Sequence, residues 1–426
     1  MSITQISNNQ PNITAIINQL PKDVIFEFSK FINKLSDVRN LSLVNKHYFV
    51  VIFNDQFPLW QILLKSHFPS SFKINPICQT PILRYQRLLT VDNNIRTETY
   101  QMRNCEGHQG PIDCITVKDG MLFSGSWDRT IKIWNLASGE ELKSLNSHQG
   151  RITCLCATDG MLISGSADRT IKIWDIDSGK VLHSLDNHQE RIRCLKVKDG
   201  KLISGSGDQT IKIWDIGSGQ MLRSLDNHLT PISCLQVTDS MVISNSLNNT
   251  IKIWDLSSGQ ELYTLAGHQF PITCLQVKDR MLFSGSSTGS IKIWDLDSGT
   301  LLHSLNSHQG QNLCFEEKDG MLISGSADGT IKIWDLASGT LLHTLTDHQH
   351  GILSLKLKDG ILFSGSLDKT IKVWDLASGK ALYSLTDHSG GIACFEEVDG
   401  MLISASHDQT IKIWDFNSAN KTNNKT

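Results

Sequence analysis

The sequence predicts an all-β eight-bladed propeller preceded by a small all-α domain. Two observations support this fold class. The first hundred residues lack any repeat and carry apolar residues at helical spacing. The rest of the chain repeats every forty residues, which indicates one supersecondary unit copied and stacked, because a single unit cannot bury its apolar face alone. Eight tryptophans mark the period: Trp134, Trp174, Trp214, Trp254, Trp294, Trp334, Trp374 and Trp414.

Each repeat contains four short strand signals separated by turn residues. Asp119 and Gly120 provide the positive φ angles of a tight hairpin between the first two. Four antiparallel strands joined in this way form one propeller blade. In the first repeat, alternating apolar and polar residues predict strands over 112–117, 121–126, 130–134 and 141–145.

The last repeat has no fourth strand of its own, because only a few residues separate Trp414 from a polar tail. The segment 97–105 lies before the first repeat and is expected to supply the missing strand. Such closure joins the two ends of the ring and removes open sheet edges. Seven blades with one displaced unit is the alternative, and the even spacing argues against it.

Composition limits the function classes. The 426 residues have a net charge of -3, with 39% hydrophobic and 19% charged residues. A nucleic-acid binder would show a basic surface, and a membrane span would need roughly 20 consecutive apolar residues. We therefore expect no nucleic-acid or membrane partner. The N-terminus lacks the order of a cleaved signal, so a cytoplasmic location is expected, or a host cytoplasm if the protein is a bacterial effector.

The repeated histidine and the Trp-Asp ending, which becomes Trp134-Asn135 in the first unit, resemble the WD40 family, and the match covers roughly residues 97–418. The resemblance implies that a histidine, a serine or threonine, an aspartate and the tryptophan are hydrogen-bonded within each blade. Asn248 and Thr288 replace the aspartate in two blades, so their networks should be weaker. With copies in every blade these groups are structural, and we expect no catalytic residue, metal or cofactor. In the first blade the network is matched by His108, Ser126, Asp128 and Trp134.

Seven of the ten cysteines recur at one repeat position. A metal or disulfide ring would be one explanation, but pairs with metal-type spacing are missing. Small buried side chains in a reducing compartment explain the pattern better. The seven are Cys114, Cys154, Cys194, Cys234, Cys274, Cys314 and Cys394.

The helical segment 16–65 contains, in this order, Leu20-Pro21, Asp23-Val24-Ile25, Leu35, Asp37-Val38, Leu43-Val44, Lys46 and Trp60. This order resembles the F-box. This resemblance implies that the segment binds the Skp1 subunit of a cullin-based ubiquitin ligase while the propeller holds the target protein. A plain helical cap on the propeller, with a scaffold function and no ubiquitin role, is the alternative. A polar tail (1–15), a helical linker (66–96) and a second tail (419–426) complete the chain. The predicted Skp1 contacts are Leu20, Pro21, Val24, Ile25, Phe28, Leu43 and Val44.

Target specificity is expected where the repeats differ. The turns before the first strand and between the second and third strands meet on one face of the propeller, here called the top face. Arginines on one arc of it suit an acidic or phosphorylated segment. Arg193 matches an arginine position of resembling F-box propellers, and the others do not. Solvated charges paired with neighbours such as Glu190 are the alternative. The predicted target-binding residues are Trp127, Arg129, Arg151, Arg169, Arg191 and Arg193.

Overall fold

A computed structural model describes residues 81–306 and 308–417 of the chain. From Arg87 onward these residues belong to one compact unit. The segment 16–65 with its predicted Skp1 contacts, most of the predicted linker and the two polar tails lie outside the described residues. Within the described part, one helix, α1 (Pro81–Arg96), precedes thirty-two strands.

The strands form eight four-stranded sheets, numbered here as blades in the order of their first strands. Blade 1 contains β2 (Ile112–Lys118), β3 (Met121–Ser126), β4 (Ile131–Asn135) and β5 (Glu141–Leu145). Blade 2 contains β6 (Ile152–Thr158), β7 (Met161–Ser166), β8 (Ile171–Asp175) and β9 (Val181–Leu185). Blade 3 contains β10 (Ile192–Lys198), β11 (Lys201–Ser206), β12 (Ile211–Asp215) and β13 (Met221–Leu225). Blade 4 contains β14 (Ile232–Val237), β15 (Met241–Ser246), β16 (Thr250–Asp255) and β17 (Glu261–Ala266).

The second half of the ring repeats the same order. Blade 5 contains β18 (Ile272–Lys278), β19 (Met281–Ser286), β20 (Ser290–Asp295) and β21 (Leu301–Asn306). Blade 6 contains β22 (Asn312–Lys318), β23 (Met321–Ser326), β24 (Ile331–Asp335) and β25 (Leu341–Leu345). Blade 7 contains β26 (Ile352–Lys358), β27 (Ile361–Ser366), β28 (Ile371–Asp375) and β29 (Lys380–Leu385). Blade 8 contains β30 (Ile392–Val398), β31 (Met401–Ser406), β32 (Thr410–Asp415) and β1 (Gln101–Glu106).

The first strand of every blade contacts the first strands of both neighbouring blades, and the contact of β30 with β2 completes the circle. Tight hairpins connect the first and second strands. At the first of them Asp119 has φ 48° and Gly120 has φ 73°, as the sequence predicts. The eight-bladed ring is therefore confirmed, and all four strands predicted in the first repeat are present with ends that differ by at most one residue.

The hydrophobic core lies between the blades. One cluster joins Ile163 and Ile173 of blade 2 to Leu202 and Trp214 of blade 3, all of them fully or almost fully buried. The same arrangement recurs around the ring, so each blade buries one apolar face against each neighbour. A single blade has no core of its own, so we expect each repeat to depend on its neighbours for stability.

Strand β1 closes the ring, as predicted. It pairs antiparallel with β32, with Gln101 opposite Asp415 and Glu106 opposite Thr410. Cys105 is 1% exposed and belongs to the cluster between blades 8 and 1. The two ends of the propeller are thus held in one sheet.

Helix α1 leads into this strand and lies within the segment 66–96 that is predicted as a helical linker. Val91 and Ile95 are buried in one cluster with Phe416 and residues of blades 7 and 8. The Asn94 side-chain amide donates to the Phe416 carbonyl oxygen over 2.7 Å. The helix therefore adds a second attachment at the point of closure.

Ring closure can be tested with Cys105→Asp. This change buries an unpaired carboxylate between blades 8 and 1, so the free energy of unfolding should fall by about 3–5 kcal/mol. Urea denaturation followed by tryptophan fluorescence measures the change. Asn104→Asp is the matched control, because Asn104 is exposed and accepts from Lys412 Nζ at 2.7 Å. It should change stability by less than about 0.5 kcal/mol. Equal losses in the two variants would contradict a closing role for β1.

Candidate functional site

A buried chain of hydrogen bonds crosses each regular blade and fixes the top face. In blade 1, Trp134 Nε1 donates to Ser124 Oγ at 2.8 Å. His108 Nε2 lies 2.7 Å from the same hydroxyl, and His108 Nδ1 lies 2.8 Å from Asp128 Oδ2. With Nδ1–H donating to the carboxylate, Nε2 accepts the serine proton and every polar group in the chain is satisfied.

The serine in this chain of hydrogen bonds is not the one that the sequence predicts. Ser126 was assigned to it, but Ser126 Oγ donates to the Gly110 carbonyl oxygen at 2.9 Å and accepts from the Asp128 amide at 3.1 Å. Ser124 is the residue that links the histidine to the tryptophan. The two serines are two positions apart in β3, so their side chains share one face of the strand. A pattern of alternation cannot distinguish them.

The aspartate ties the histidine loop to the turn between β3 and β4. Asp128 accepts from the Gln109 amide at 2.9 Å and from the Thr130 hydroxyl at 2.7 Å. Burial acts to raise the pKa of this carboxyl, but the hydrogen bonds from His108 and Thr130 outweigh burial and hold the pKa well below its usual range. The carboxylate therefore stays ionised at any physiological pH.

Blades 4 and 5 lack this link, as the sequence indicates. Asn248 Oδ1 accepts from Ser246 Oγ at 2.8 Å, and His228 Nδ1 lies 3.0 Å from the same serine rather than near a carboxylate. In blade 5, His268 Nδ1 lies 3.3 Å from Ser290 Oγ. Burial, reinforced by a neighbouring lysine charge, lowers the pKa of both histidines to about 4.

A β-bulge at the start of each first strand places one variable residue at the rim of the top face. In blade 3, Ile192 pairs with Ser206 and Cys194 with Gly205, so Arg193 is the extra residue. The equivalent residue of blade 2, Thr153, donates to the carbonyl oxygens of Ile192 and Gly165. A β-bulge often changes the direction of a side chain. Here the same bulge position carries an arginine in blade 3 and, in blade 2, a threonine that donates to backbone carbonyl oxygens.

Trp127 and Arg151 meet across blades 1 and 2. The guanidinium carbon of Arg151 lies 4.5 Å from the centre of a Trp127 ring, a cation–π distance. Trp127 Nε1 donates to Asp113 Oδ2 at 2.6 Å, which holds the half-exposed indole in place. Burial raises the pKa of Asp113, opposed by the Trp127 hydrogen bond and the Arg151 charge. Asp113 is not among the site residues that the sequence predicts.

Arg191 and Arg193 line one depression of about 680 Å³ at the boundary of blades 3 and 4. Pro231 and Glu190 also line it. Arg193 Nε is buried without a hydrogen-bond partner in the described part of the chain. Burial, together with the charge of Arg191, lowers the pKa of Arg193. An anion in the depression would relieve both effects, since it would supply an acceptor and a compensating charge.

Arg129 and Arg169 are exposed at turn tips with φ 73° and 74°, and they do not line this depression. Across residues 81–306 and 308–417, no carboxylate oxygen lies within ion-pair distance of any of the five predicted arginines. The alternative reading of paired surface charges, with Glu190 as an example, therefore has no ion pair to support it.

An apolar patch lies on the top face of blades 4 and 5, and its residues are not among those that the sequence predicts for a binding site. Leu229 is 77% exposed and Phe270 is 48% exposed. Other repeats place glutamine or serine at the position of Leu229, and most place glycine at the position of Phe270. These departures from the repeat were the available signal.

Among the described residues, no three His, Cys, Asp or Glu side chains are grouped so that they could hold a metal ion. Burial raises the pKa of the recurring cysteines, for example that of Cys154 to about 12, which keeps the thiols protonated. The described helix is too short and too polar to cross a membrane.

Comparison with known families agrees with the blades. The family described as WD domain, G-beta repeat matches eight times, and each match begins with the fourth strand of one blade and ends with the third strand of the next. The chain belongs to the WD40 family. WD40 propellers are generally non-catalytic scaffolds for protein interaction. The matched residues are 99–135, 139–175, 179–215, 219–255, 259–295, 299–335, 339–375 and 379–415.

Two curated relatives match this chain over short segments. Human "Kinesin-like protein KIF21B" is 50% identical over 40 residues, 9% of this chain and 2% of the kinesin-like protein. "Probable E3 ubiquitin ligase complex SCF subunit scon-2" of Neurospora crassa is 33% identical over 61 residues, 14% of this chain and 9% of its own. The chain thus spans a small part of the length of these relatives.

A solved structure matches most of this chain. The crystal structure of the computationally designed Ika8 protein is 37% identical in sequence, with a TM-score of 0.70. The similarity covers 73% of this chain and 98% of the designed protein. It supports the ring architecture described above.

The histidines of blades 4 and 5 should make stability depend on pH. An unfolded histidine has a pKa near 6.5 and these have about 4, so the unfolded state binds more protons between those values. Stability is then lost as pH falls from about 6.5 to 4, by up to about 3 kcal/mol per histidine. Asn248→Asp gives His228 a carboxylate and should reduce this loss. Urea unfolding at pH 7 and pH 4.5 measures it.

Asn187→Asp is the control, because it adds the same charge at an exposed position where repeats 347 and 387 already carry aspartate. A pH response of Asn248→Asp no different from that of Asn187→Asp would contradict the assignment of the loss to His228.

Proposed function

We propose that this protein is a substrate-recognition adaptor of a Skp1–cullin–F-box ubiquitin ligase. The top face of the propeller binds a target protein, and the segment 16–65 binds Skp1. The observation that carries the binding half of the proposal is the set of arginines on blades 1–3 that lack ion-pair partners among the described residues. Support for the ubiquitin half comes from the F-box-like order of residues and from the name of the fungal relative.

The target segment is acidic or phosphorylated. Arg151 is held against Trp127, so less side-chain freedom is lost when it binds a ligand. Arg191 and Arg193 share a depression in which a buried guanidinium nitrogen lacks an acceptor. Guanidinium groups in a fixed position suit the planar or tetrahedral oxygens of carboxylate and phosphate. Arg129 and Arg169 lie at the edge of this surface and add attraction at longer range.

A WD40 scaffold without a ubiquitin role is the second candidate. It is favoured by the kinesin-like relatives, whose names show that a similar repeat occurs outside ubiquitin ligases. Both candidates use the same top face. They differ in whether the chain captures Skp1.

The target-binding surface can be tested with Arg151→Ala, Arg191→Ala and Arg193→Ala combined. Binding to a pool of phosphothreonine peptides should weaken about a hundredfold or more, because several charge-assisted hydrogen bonds are lost. Affinity of the wild type should also fall between roughly 50 and 300 mM salt. Fluorescence anisotropy on the full chain measures both effects.

A control triple variant removes the same charge away from the top face: Lys180→Ala, Arg223→Ala and Arg280→Ala. It should bind the peptides as the wild type does. If both triple variants lose affinity equally, or neither loses any, the assignment of the surface is wrong.

The ubiquitin half predicts that the full chain captures purified Skp1. Leu20→Ala with Pro21→Ala should abolish capture, because these apolar residues are predicted to fill the Skp1 interface. Asn8→Ala with Asn9→Ala, in the polar tail, should leave capture unchanged. Peptide binding by the arginine surface in a wild-type chain that fails to capture Skp1 would favour the scaffold instead.

A further inference from the structure

Blade 5 keeps the surroundings of a carboxylate without the carboxylate. In the six blades that carry the aspartate, its side chain occupies one place between the histidine loop and the turn. Asp128 there receives hydrogen bonds from His108 Nδ1, from the Gln109 amide and from both the amide and the hydroxyl of Thr130, all within 2.9 Å. Asp168, Asp208 and Asp408 show the same geometry.

Groups equivalent to those that donate hydrogen bonds to the aspartate in other blades are also present in blade 5. Thr288 stands where the aspartate would be and is exposed. The Gln269 amide, equivalent to that of Gln109, has no acceptor among the residues that the structure describes. His268 is 7% exposed, and among the described residues its Nδ1 has only the Ser290 hydroxyl, at 3.3 Å. The Ser290 hydroxyl also lies 2.8 Å from Ser286 Oγ. An amide, an imidazole and hydroxyl groups therefore surround a place in which the described part of the chain puts no carboxylate oxygen.

Blade 4 has also lost the aspartate, but there the replacing side chain supplies an oxygen acceptor to the turn. Asn248 Oδ1 occupies much of the place and accepts from both the amide and the hydroxyl of Thr250. In blade 5 the turn is instead held against blade 6. Gly289 has φ 86°, its carbonyl accepts from the His308 amide at 3.3 Å, and a Cβ atom here would collide with the His308 carbonyl oxygen.

A depression of about 490 Å³ opens beside this turn, lined by Gln269, Phe270, Thr288, Ser290, Lys292 and Gln309. Its charge is positive. The equivalent lysines of blades 1 and 4 pair with Glu141 and Glu261, but blade 5 has Leu301 at that position. Lys292 Nζ donates to Ser304 Oγ at 2.9 Å and forms no ion pair in the described part of the chain.

We propose that this depression is a binding site for a carboxylate, which takes the place of the missing aspartate side chain. The carboxylate accepts from the Gln269 amide, His268 Nδ1 and the Ser290 hydroxyl, and Lys292 supplies the compensating charge. Two sources have this chemistry: a small free carboxylate, or an aspartate or glutamate side chain of a bound protein. The site lies at blades 5 and 6, apart from the arginines of blades 1–3, and does not depend on the ubiquitin role.

The test is a titration of the full chain with sodium acetate, followed by the amide resonance of Gln269 in NMR spectra at constant ionic strength. We expect a saturable shift, which sodium chloride does not reproduce. Thr288→Asp should abolish the shift and raise the melting temperature, because the new side chain fills the place covalently. Lys292→Ala should weaken acetate binding about tenfold. The Lys292→Ala variant therefore still tests the proposal if Thr288→Asp fails to fold.

Asn248→Asp is the matched control, since it adds a carboxylate to the neighbouring blade and should leave the response of Gln269 unchanged. A blocked Ala-Ala-Asp-Ala-Ala peptide and its Asn counterpart separate the two sources. Binding of the Asp peptide alone, with at least the affinity of acetate, indicates a protein side chain, whereas binding of acetate without the peptide indicates a small carboxylate. A shift that does not saturate, or one that persists in Thr288→Asp, would overturn the proposal.

Discussion

The buried serine hydroxyl that accepts from the tryptophan in each blade, Ser124 in blade 1, is the group on which this fold depends most. It accepts from an indole N–H in the third strand and donates to an imidazole in the loop before the first strand. It lies in the second strand itself and is fully buried. One hydroxyl therefore joins three parts of a blade at a point where an unpaired polar group would cost about 1–3 kcal/mol. Eight equivalent serines repeat this link around the ring.

The link extends to the top face through the aspartate, which ties the histidine loop to the next turn. Because these four side chains already fix the loops, the residues around them can vary while the hydrogen-bond chain is kept. The bulge position illustrates this freedom. Thr153 turns inward and bonds two carbonyl oxygens, whereas Arg193 leaves a guanidinium nitrogen unpaired at the same place. The scaffold is shared, and the difference between two blades is a difference in binding chemistry.

Most of the fold could be predicted from sequence because the same pattern of strand and turn residues occurs eight times. Errors of local propensity average out, and the forty-residue period locates every strand of the ring. The choice between Ser124 and Ser126 could not be made, since both face the same way in β3 and the deciding contact comes from a tryptophan ten residues later. The role of Asp113 was missed for a similar reason, because its partner Trp127 belongs to a different turn.

The candidate sites were harder to predict than the fold because they are defined by what is missing. The arginines were visible as departures from the repeat, but their lack of ion pairs is a property of the folded surface. To predict the candidate site in blade 5, one must know where the depression lies and that the Gln269 amide has no acceptor among the described residues. A sequence reports that Thr288 replaces an aspartate, and it does not report whether the replacing side chain fills the space, as Asn248 does in blade 4.

Unpaired polar atoms in the described residues concentrate where the blades depart from the repeat. Buried side-chain atoms without a partner include Arg193 Nε, Thr230 Oγ1 and Asn312 Oδ1, and each belongs to a residue found at its repeat position in a single blade. A regular blade satisfies its own polar groups and has little to offer a ligand. Burial of an unpaired donor or acceptor lowers stability, so a partner that supplies the missing atom gains affinity from the same free energy. The net charge of -3 gives the whole chain little long-range attraction for an anion, so recognition depends on these local deficits and on the local charge of the arginines.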